Sequence, residues 1–272
     1  TRRPVSHGAE KWINQPVQCL NHGFVYLVDY MGNDEAIVQA ARVSYGAGTK
    51  RVSEDRGLIR YLKRNKHTTP LEMVEFKFHC KMPIFVARQW IRHRTANVNE
   101  YSARYSILGN EFYLPEPEHL AVQSVTNRQG RGDAVTLEEA DNILRLLKED
   151  AERQYDHYSY LLNEKDGEAV DPSLPCLARE LARMGLGLNF YTEWYWKIDL
   201  HNLMHFLGLR LDAHAQYEIR VFAEAMAQIV KDSVPIAFEA FEDYHQNSMM
   251  LSAQEIALIG TQAWPRDESF AI

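Results

Sequence analysis

A cluster of cationic and hydrogen-bonding side chains lies in the segment 92–105, which reads RHRTANVNEYSARY. The guanidinium groups of Arg92, Arg94 and Arg104 stay ionised at cellular pH, and each can bind phosphate or carboxylate oxygens through two parallel hydrogen bonds. Three of them in so short a segment predict a site for an anionic ligand. The alternative is a solvated loop of surface ion pairs, which we expect less because such loops rarely concentrate so many guanidinium groups.

Side chains must form this anion site, because the two common phosphate-binding loops are absent. The sequence contains neither the GxGxxG dinucleotide fingerprint nor the GxxxxGK[ST] P-loop. Asn99 and Glu100 in the same segment can bind ribose hydroxyls or the edge of a base. The segment therefore favours a small anionic molecule as its ligand.

A second group of candidate residues is built around two histidines. His201 and His205 are four apart on a predicted helix, and Asp199, Asp212 and His214 lie nearby in sequence. This spacing can hold a metal ion, but the glutamate of the HExxH motif is missing. Contacts to an organic ligand, or helix capping, explain the same residues equally well, so we expect no metal here.

Arg210 lies between the apolar run 206–209 and the nearby Asp212 and His214. A cation in the last turn of a helix is favoured by the helix dipole, and this explanation needs no function. The same arginine could instead be directed into a pocket. The residues alone leave both explanations open.

No protein nucleophile stands out. Cys19, Cys80 and Cys176 are widely spaced and form no CxxC pair, so neither a disulfide framework nor a thiolate zinc site is indicated. Ser102 has no evident neighbouring base to activate its hydroxyl. We therefore expect the three cysteines to be buried or incidental thiols.

The composition narrows the class of protein. The chain has 272 residues, 46% of them hydrophobic, with a net charge of -7 and a pI near 5.9. General nucleic-acid and membrane-surface binders need a broad basic face, so neither kind of partner is expected. No apolar run approaches the roughly 20 residues that span a bilayer. We expect one domain over 1–272 and a cytoplasmic location.

Periodicity predicts the elements that position these residues. Apolar and polar residues alternate over 74–82 and over 189–197, which marks half-buried strands, and a further strand is expected at 24–28. No regular βαβ rhythm is present, so we expect an α+β fold, a mixed sheet with flanking helices. Caps and apolar periodicity place helices after Asn33, after Ser53, from Pro83 to about 92, from Thr136 to about 164, after Pro175, after Asp199, over 212–230 and after Ser252.

Taken together, these motifs resemble the flavin-dependent thymidylate synthases, whose signature is RHRxxSxNExSxR. The segment 92–104 matches every fixed position except Asn97, where the signature has serine; an amide still donates and accepts hydrogen bonds but is larger. Further similarity lies in AARVSYG ending at Gly46, in HTTP at 67–70, in PIFVARQW at 83–90 and in LMHFLGLRLDAHAQYEIR at 203–220. The resemblance covers a core of about residues 20–245.

The resemblance implies an enzyme that makes thymidylate (dTMP) from deoxyuridylate (dUMP). Methylenetetrahydrofolate would supply the one-carbon group, and NADPH would supply reducing equivalents through FAD. In this family reduced flavin delivers hydride and no protein nucleophile is needed, which agrees with the lack of a convincing nucleophile in this chain.

The resemblance also assigns roles by position. Arg210 would be catalytic, because its cation would stabilise negative charge on the pyrimidine as the N3 proton is lost. His67 is a further candidate near flavin and folate. The residues assigned to dUMP are Gln89, Trp90, Ile91, Arg92, Glu100, Tyr101, Ser102, Ala103, Arg104, Arg183 and Arg210. Those assigned to FAD are Ser44, Thr69, Arg92, His93, Arg94, Glu100, Asp199, His201 and His205.

A homotetramer with active sites shared between subunits is implied as well, with dUMP, the folate and NADPH as small-molecule partners. Two other functions stay open. One is a metal-dependent hydrolase that uses His201, His205, Asp212 and His214. The other is a nucleotide-binding module without enzymatic activity that uses only the segment 92–105.

Overall fold

The architecture is described by a computed structural model, which covers residues 4–43, 52–127 and 130–259. The strands are β1 (Val17–Cys19), β2 (Gly23–Met31), β3 (Glu75–Pro83), β4 (Asn97–Glu100), β5 (Ala121–Gln123), β6 (Arg131–Ala134), β7 (Glu164–Lys165), β8 (Glu168–Ala169) and β9 (Tyr191–Asp199). The α-helices are α1 (His7–Glu10), α2 (Asp34–Val43), α3 (Val52–Arg64), α4 (Thr69–Glu72), α5 (Ile84–Trp90), α6 (Leu137–Leu162), α7 (Arg179–Ala182), α8 (Leu200–Arg210), α9 (Tyr217–Ser233), α10 (Pro235–Phe241) and α11 (Ala253–Ile259). A 3-10 turn, Arg183–Gly185, follows α7, and a π-helical segment, Glu242–Gln246, follows α10.

A five-stranded sheet in the order β1-β2-β3-β9-β4 forms the centre of the molecule. Each pair of neighbouring strands in this sheet is antiparallel, so the mixed sheet predicted from the sequence is wrong in its strand directions. The α+β class is confirmed. The register places Leu27 opposite Phe78 and Phe78 opposite Trp196, so one row of large apolar side chains crosses the middle of the sheet.

The alternation predicted for the two longest motifs is confirmed. In β3, Phe76 and Phe78 are buried while the residues between them are only half-buried, and in β9 Trp194 and Trp196 are buried on the same face. Helices α5, α8 and α9 cover that face and contribute to one hydrophobic core. Burial of one face is what a period of two imposes on a strand.

Trp90, the last residue of α5, lies at the centre of this core and is 0% exposed. Its indole stacks on Phe206 of α8 at a centroid distance of 5.0 Å and meets Trp194 and Trp196 of β9 edge-on at 5.5 and 5.2 Å. Edge-to-face and offset-stacked pairs are the favoured aromatic geometries. The segment that begins directly after Trp90 is therefore anchored to the core at its first residue.

Several predicted helix starts are confirmed by their capping bonds. The Asp199 carboxylate accepts from the Asn202 amide at 2.9 Å at the start of α8, and Asn33 accepts from the Ala36 amide at 3.1 Å at the start of α2. Thr136 and Glu139 form the predicted capping box at the start of α6. Ser252 and Glu255 form the same pair of bonds at the start of α11.

Two predicted helix starts are wrong. The helix expected after Ser53 already begins at Val52, so Ser53 lies within α3. The helix expected from Asp212 begins only at Tyr217. The Asp212 carboxylate accepts from the backbone amide of His214 at 2.7 Å, and such a local bond lets aspartate hold the chain in a turn instead of a helix.

Candidate active site

The segment 92–105 runs along the edge of the sheet. After Trp90 the chain turns over 91–96, pairs as β4 with β9, and turns again over 101–106. All four residues of β4 are exposed. A small cluster that includes Ala103, Leu108 and Tyr158 fixes the far end of the segment on α6, where the Leu108 amide donates to the Tyr158 hydroxyl at 3.1 Å. An otherwise exposed segment is thus held at both ends.

The guanidinium groups of this segment are available to a ligand. Arg92 and Arg94 are exposed, and neither side chain forms a hydrogen bond or ion pair with a residue in the described ranges. Arg104 lies 3.4 Å from the Glu180 carboxylate, but both side chains are half-exposed and such pairs contribute little. A loop of mutual ion pairs, the alternative considered from sequence, is therefore not what this segment forms.

Five of the residues expected to bind dUMP line one cavity. The Ser102 cavity, about 400 Å³ in volume, lies between the turn after β4 and the segment 183–192. Glu100 at its rim accepts a hydrogen bond from the Thr192 hydroxyl at 2.8 Å. The expected residues that line it are Glu100, Tyr101, Ser102, Ala103 and Arg183. Its volume lies within the range of small-molecule sites.

The other residues expected to bind dUMP lie outside this cavity. Trp90 is enclosed in the core, so a nucleotide could reach it only through its backbone, and the neighbouring Ile91 is exposed. The side-chain oxygen of Gln89 is buried and has no hydrogen-bond partner in the described part of the chain. Arg92, Arg104 and Arg210 do not line the Ser102 cavity.

Four of the nine residues expected to bind FAD line two further cavities, whereas Glu100 lines the Ser102 cavity and Arg92 and His93 line none of the three. His201 and His205 line the His201 cavity, about 250 Å³, together with His67. Arg94 and Asp199 line the Arg94 cavity, about 260 Å³, at the end of β9. Thr69 begins α4 and is exposed, whereas Ser44 lies outside the described residues. Within the described residues, one chain alone therefore does not bring the predicted flavin residues into a single cavity.

Arg210 and His93 form a direct contact that no sequence pattern predicts. The Arg210 Nε donates a hydrogen bond to His93 Nε2 at 3.2 Å, across 117 positions of sequence. Burial, together with the nearby charges of Arg210 and His205, lowers the pKa of His93 to about 4. Burial also lowers the pKa of Arg210, although a guanidinium stays ionised in proteins. A neutral His93 can therefore accept from the arginine at any pH near neutral.

The lowered pKa of His93 predicts a pH dependence of stability. Between about 4 and the ordinary value of 6.5, the unfolded chain binds a proton at this imidazole that the folded chain does not, so stability falls as pH falls through that window. We expect His93→Gln, which keeps an acceptor but does not titrate, to reduce the drop in melting temperature between pH 7.5 and 5. His214→Gln is the control, because that imidazole is 86% exposed. An equal drop in wild type and His93→Gln would contradict the prediction.

The metal-dependent alternative finds little support in this geometry. No group of three or more His, Cys, Asp or Glu side chains within 4–43, 52–127 and 130–259 is arranged to hold a metal ion. His214 instead pairs with Asp212 on the surface, at 2.9 Å.

Within the same ranges no helix is long and apolar enough to cross a membrane.

Comparison with known proteins gives one consistent result. The family model described as "Thymidylate synthase complementing protein" matches residues 26–236. The chain is 58% identical over 261 residues to the flavin-dependent thymidylate synthase of Rickettsia bellii, covering 95% of this chain and 89% of the relative. It is 60% identical over 256 residues to that of Ruegeria pomeroyi, covering 94% and 82% of the two chains.

Solved structures agree with the sequence relatives. The crystal structure of a UMP/dUMP methylase, PolB from Streptomyces cacaoi, bound with 5-Br UMP, superimposes with a TM-score of 0.73 at 33% identity. The match covers 86% of this chain and 99% of the methylase. The same methylase bound with 5-Br dUMP gives a TM-score of 0.72 at 31% identity.

Proposed function

Because this chain belongs to the flavin-dependent thymidylate synthases, we propose that its Ser102 cavity binds dUMP and that the enzyme methylates the uracil ring to give dTMP. The observation that carries the proposal is the convergence of Glu100, Ser102 and Arg183 on one cavity large enough for a small ligand. Methylenetetrahydrofolate is the carbon donor, and bound FAD, reduced by NADPH, would supply the hydride that the methylation requires.

The residues present fit a flavin dinucleotide. FAD carries a pyrophosphate, and the exposed guanidinium groups of Arg92 and Arg94 have no carboxylate partner among the described residues to compete for it. The His201 cavity adds His201 and His205. We therefore assign the FAD contacts to these four residues, with His93, Glu100, Thr69 and Asp199 as further candidates from the resemblance. Ser44 stays a prediction from sequence.

Arg210 and His93 have complementary roles in this proposal. The Arg210 guanidinium is partly desolvated, so its charge acts in a medium of lower dielectric than water. Placed beside the uracil, it stabilises negative charge on the ring when the N3 proton leaves. The hydrogen bond to His93 restrains the guanidinium, which leaves its two terminal nitrogens free to face the substrate.

We also propose that the active enzyme is a homotetramer with shared sites. The separation of His201 and His205 in one cavity from Arg94 and Asp199 in another supports it, because a second chain could join the two pairs. Exposed apolar side chains beside the candidate site, Ile91, Val98 and Leu188, are further support. The cytoplasmic location expected from the sequence stays a prediction.

The mechanism needs no cysteine, and this can be tested. Burial raises the pKa of Cys19 to about 12 and that of Cys80 well above its usual range, so neither thiol is poised as a thiolate. We expect a variant with Cys19→Ala, Cys80→Ala and Cys176→Ser to keep thymidylate formation within a few-fold of wild type, per folded and flavin-bound protein. Selective loss of methylation in such a protein would refute the claim. The measurement is dTMP formed per bound flavin.

The proposed function is tested most directly by reoxidation of the flavin. Purified protein should be yellow, and under anaerobic conditions its reduced flavin should be reoxidised only when dUMP and methylenetetrahydrofolate are both present, with dTMP as the product. Colourless protein that takes up no FAD but carries stoichiometric zinc would instead support the hydrolase alternative. Protein that binds dUMP but forms no dTMP with FAD supplied would support the binding-module alternative.

A further inference from the structure

Among the residues that the structure describes, six basic side chains and no carboxylate line the His201 cavity, together with apolar side chains such as Leu71 and Met204. It lies between the end of α3, the start of α4 and α8, with the π-helical segment along one side. Its basic residues are Lys63, Lys66, His67, His201, His205 and His245. The resemblance assigns neither Lys63 nor His245 to any ligand.

Lys63 is the least solvated cation of this group. Its ammonium lies 5.3 Å from the centre of the Phe241 ring and forms no hydrogen bond or ion pair with any residue that the structure describes. Burial lowers its pKa to about 8. An ammonium held in such surroundings has lost water without gaining an anion, so an arriving oxyanion would be bound strongly.

His245 lines the same cavity, and its imidazole packs directly against the backbone of Gly208 in α8. A Cβ atom at position 208 would lie 2.1 Å from His245 Nε2, so only glycine at this position lets the imidazole pack on α8. Burial lowers the pKa of His245, and the nearby charges of Lys63 and His205 lower it further, in agreement with the three side chains lining one cavity. Their mutual repulsion is relieved when an anion lies between them.

We propose that the His201 cavity, with Lys63 as its main donor, binds an oxyanion group of a co-substrate: the glutamate carboxylate of methylenetetrahydrofolate or the 2′-phosphate of NADPH. Both groups present the same chemistry to an ammonium and two imidazoles. The inference rests on the proposed function, because that function is what makes these two molecules co-substrates.

The test compares Lys63→Met, Lys63→Arg and Arg64→Met in the flavin-loaded protein. Arg64 is the matched control, since it is one residue away, exposed and outside the cavity. Binding of 5-formyltetrahydrofolate and of its pteroate analogue, which lacks glutamate, is followed by the change in flavin absorbance. The KM values for NADPH and for NADH, which lacks the 2′-phosphate, form the second arm.

We expect Lys63→Met to weaken the binding of one of the two oxyanion ligands by about tenfold. The binding of the matching analogue, which lacks the oxyanion, should not change. Weaker binding of 5-formyltetrahydrofolate would identify the glutamate carboxylate as the group bound in the cavity. A raised KM for NADPH would identify the 2′-phosphate instead. Lys63→Arg should keep most of the affinity, and Arg64→Met should match wild type.

Three results would overturn the proposal. Both ligands could keep their affinities in Lys63→Met, Arg64→Met could weaken them equally, or Lys63→Met could release FAD while folate and NADPH binding stay unchanged. The last result would place the oxyanion on the cofactor. Failure of the proposed function is a separate result, because it is read from wild-type protein that forms no dTMP.

Discussion

Arg210→Ala should lower the rate of dTMP formation by about 100- to 1,000-fold, the usual cost of removing one donor that stabilises developing charge. The guanidinium is partly buried and is restrained by His93, so water cannot easily replace its charge beside the uracil. FAD binding should survive, because the exposed Arg92 and Arg94 are unchanged. The measurements are single-turnover dTMP formation and flavin content of the same preparation.

Two controls separate this role from a general loss of charge. Arg220→Ala removes a guanidinium from α9 that donates to the Ala213 carbonyl at 3.0 Å, and it should leave the rate within a few-fold of wild type. Arg210→Lys keeps the charge but loses the forked geometry and the bond from Nε to His93, so an intermediate rate is expected. Near-normal turnover in Arg210→Ala would show that another group stabilises the ring.

Trp90→Ala should lower the free energy of unfolding by about 3–5 kcal/mol, the range for removing a fully buried aromatic side chain. The cavity would open between α5, α8 and β9, under the start of the segment that carries Arg92 and Arg94. We therefore expect loss of bound flavin as well as a large fall in denaturation midpoint. Urea unfolding and flavin content report the two effects.

Trp90→Phe distinguishes stability from ligand contact at this position. The indole nitrogen has no hydrogen-bond partner among the described residues, so phenylalanine loses packing but no polar contact. It should keep the KM for dUMP if the nucleotide meets only the backbone of residue 90. Trp12→Ala, at the edge of the core, is the comparison for stability and should cost less. A KM raised by Trp90→Phe in stable protein would mean that the indole itself faces the substrate.

The sequence predicted the sheet core better than the helix starts. Alternation over 74–82 and 189–197 is a direct consequence of burying one face of a strand, so these strands were found with small errors at their ends. The start of α9 was missed because the Asp212 side chain bonds to the backbone of His214, a choice between turn and helix that apolar periodicity does not report.

For the candidate site as well, the sequence predicted some features and not others. The types of residue in the segment 92–105 predicted an anionic ligand, and the structure leaves Arg92 and Arg94 free to bind one. The contact between Arg210 and His93 had no signal in the sequence, because it depends on how α8 packs beside the end of α5. The burial of Lys63 was hidden as well, since a lysine in the last turn of a helix usually reaches solvent.

The pairing of β4 with β9 sets a limit on the length of the chain between Trp90 and Asn97. Val98 and Glu100 lie opposite Trp196 and Trp194 and so share their face, whereas Asn97 and Asn99 lie on the other. Adding or deleting one residue in 91–96 would exchange the two sets, because side chains alternate along a strand. Glu100 would then leave the Thr192 hydroxyl and the Ser102 cavity without any change in its own identity. The number of residues in that turn is therefore part of the site, as much as any side chain within it.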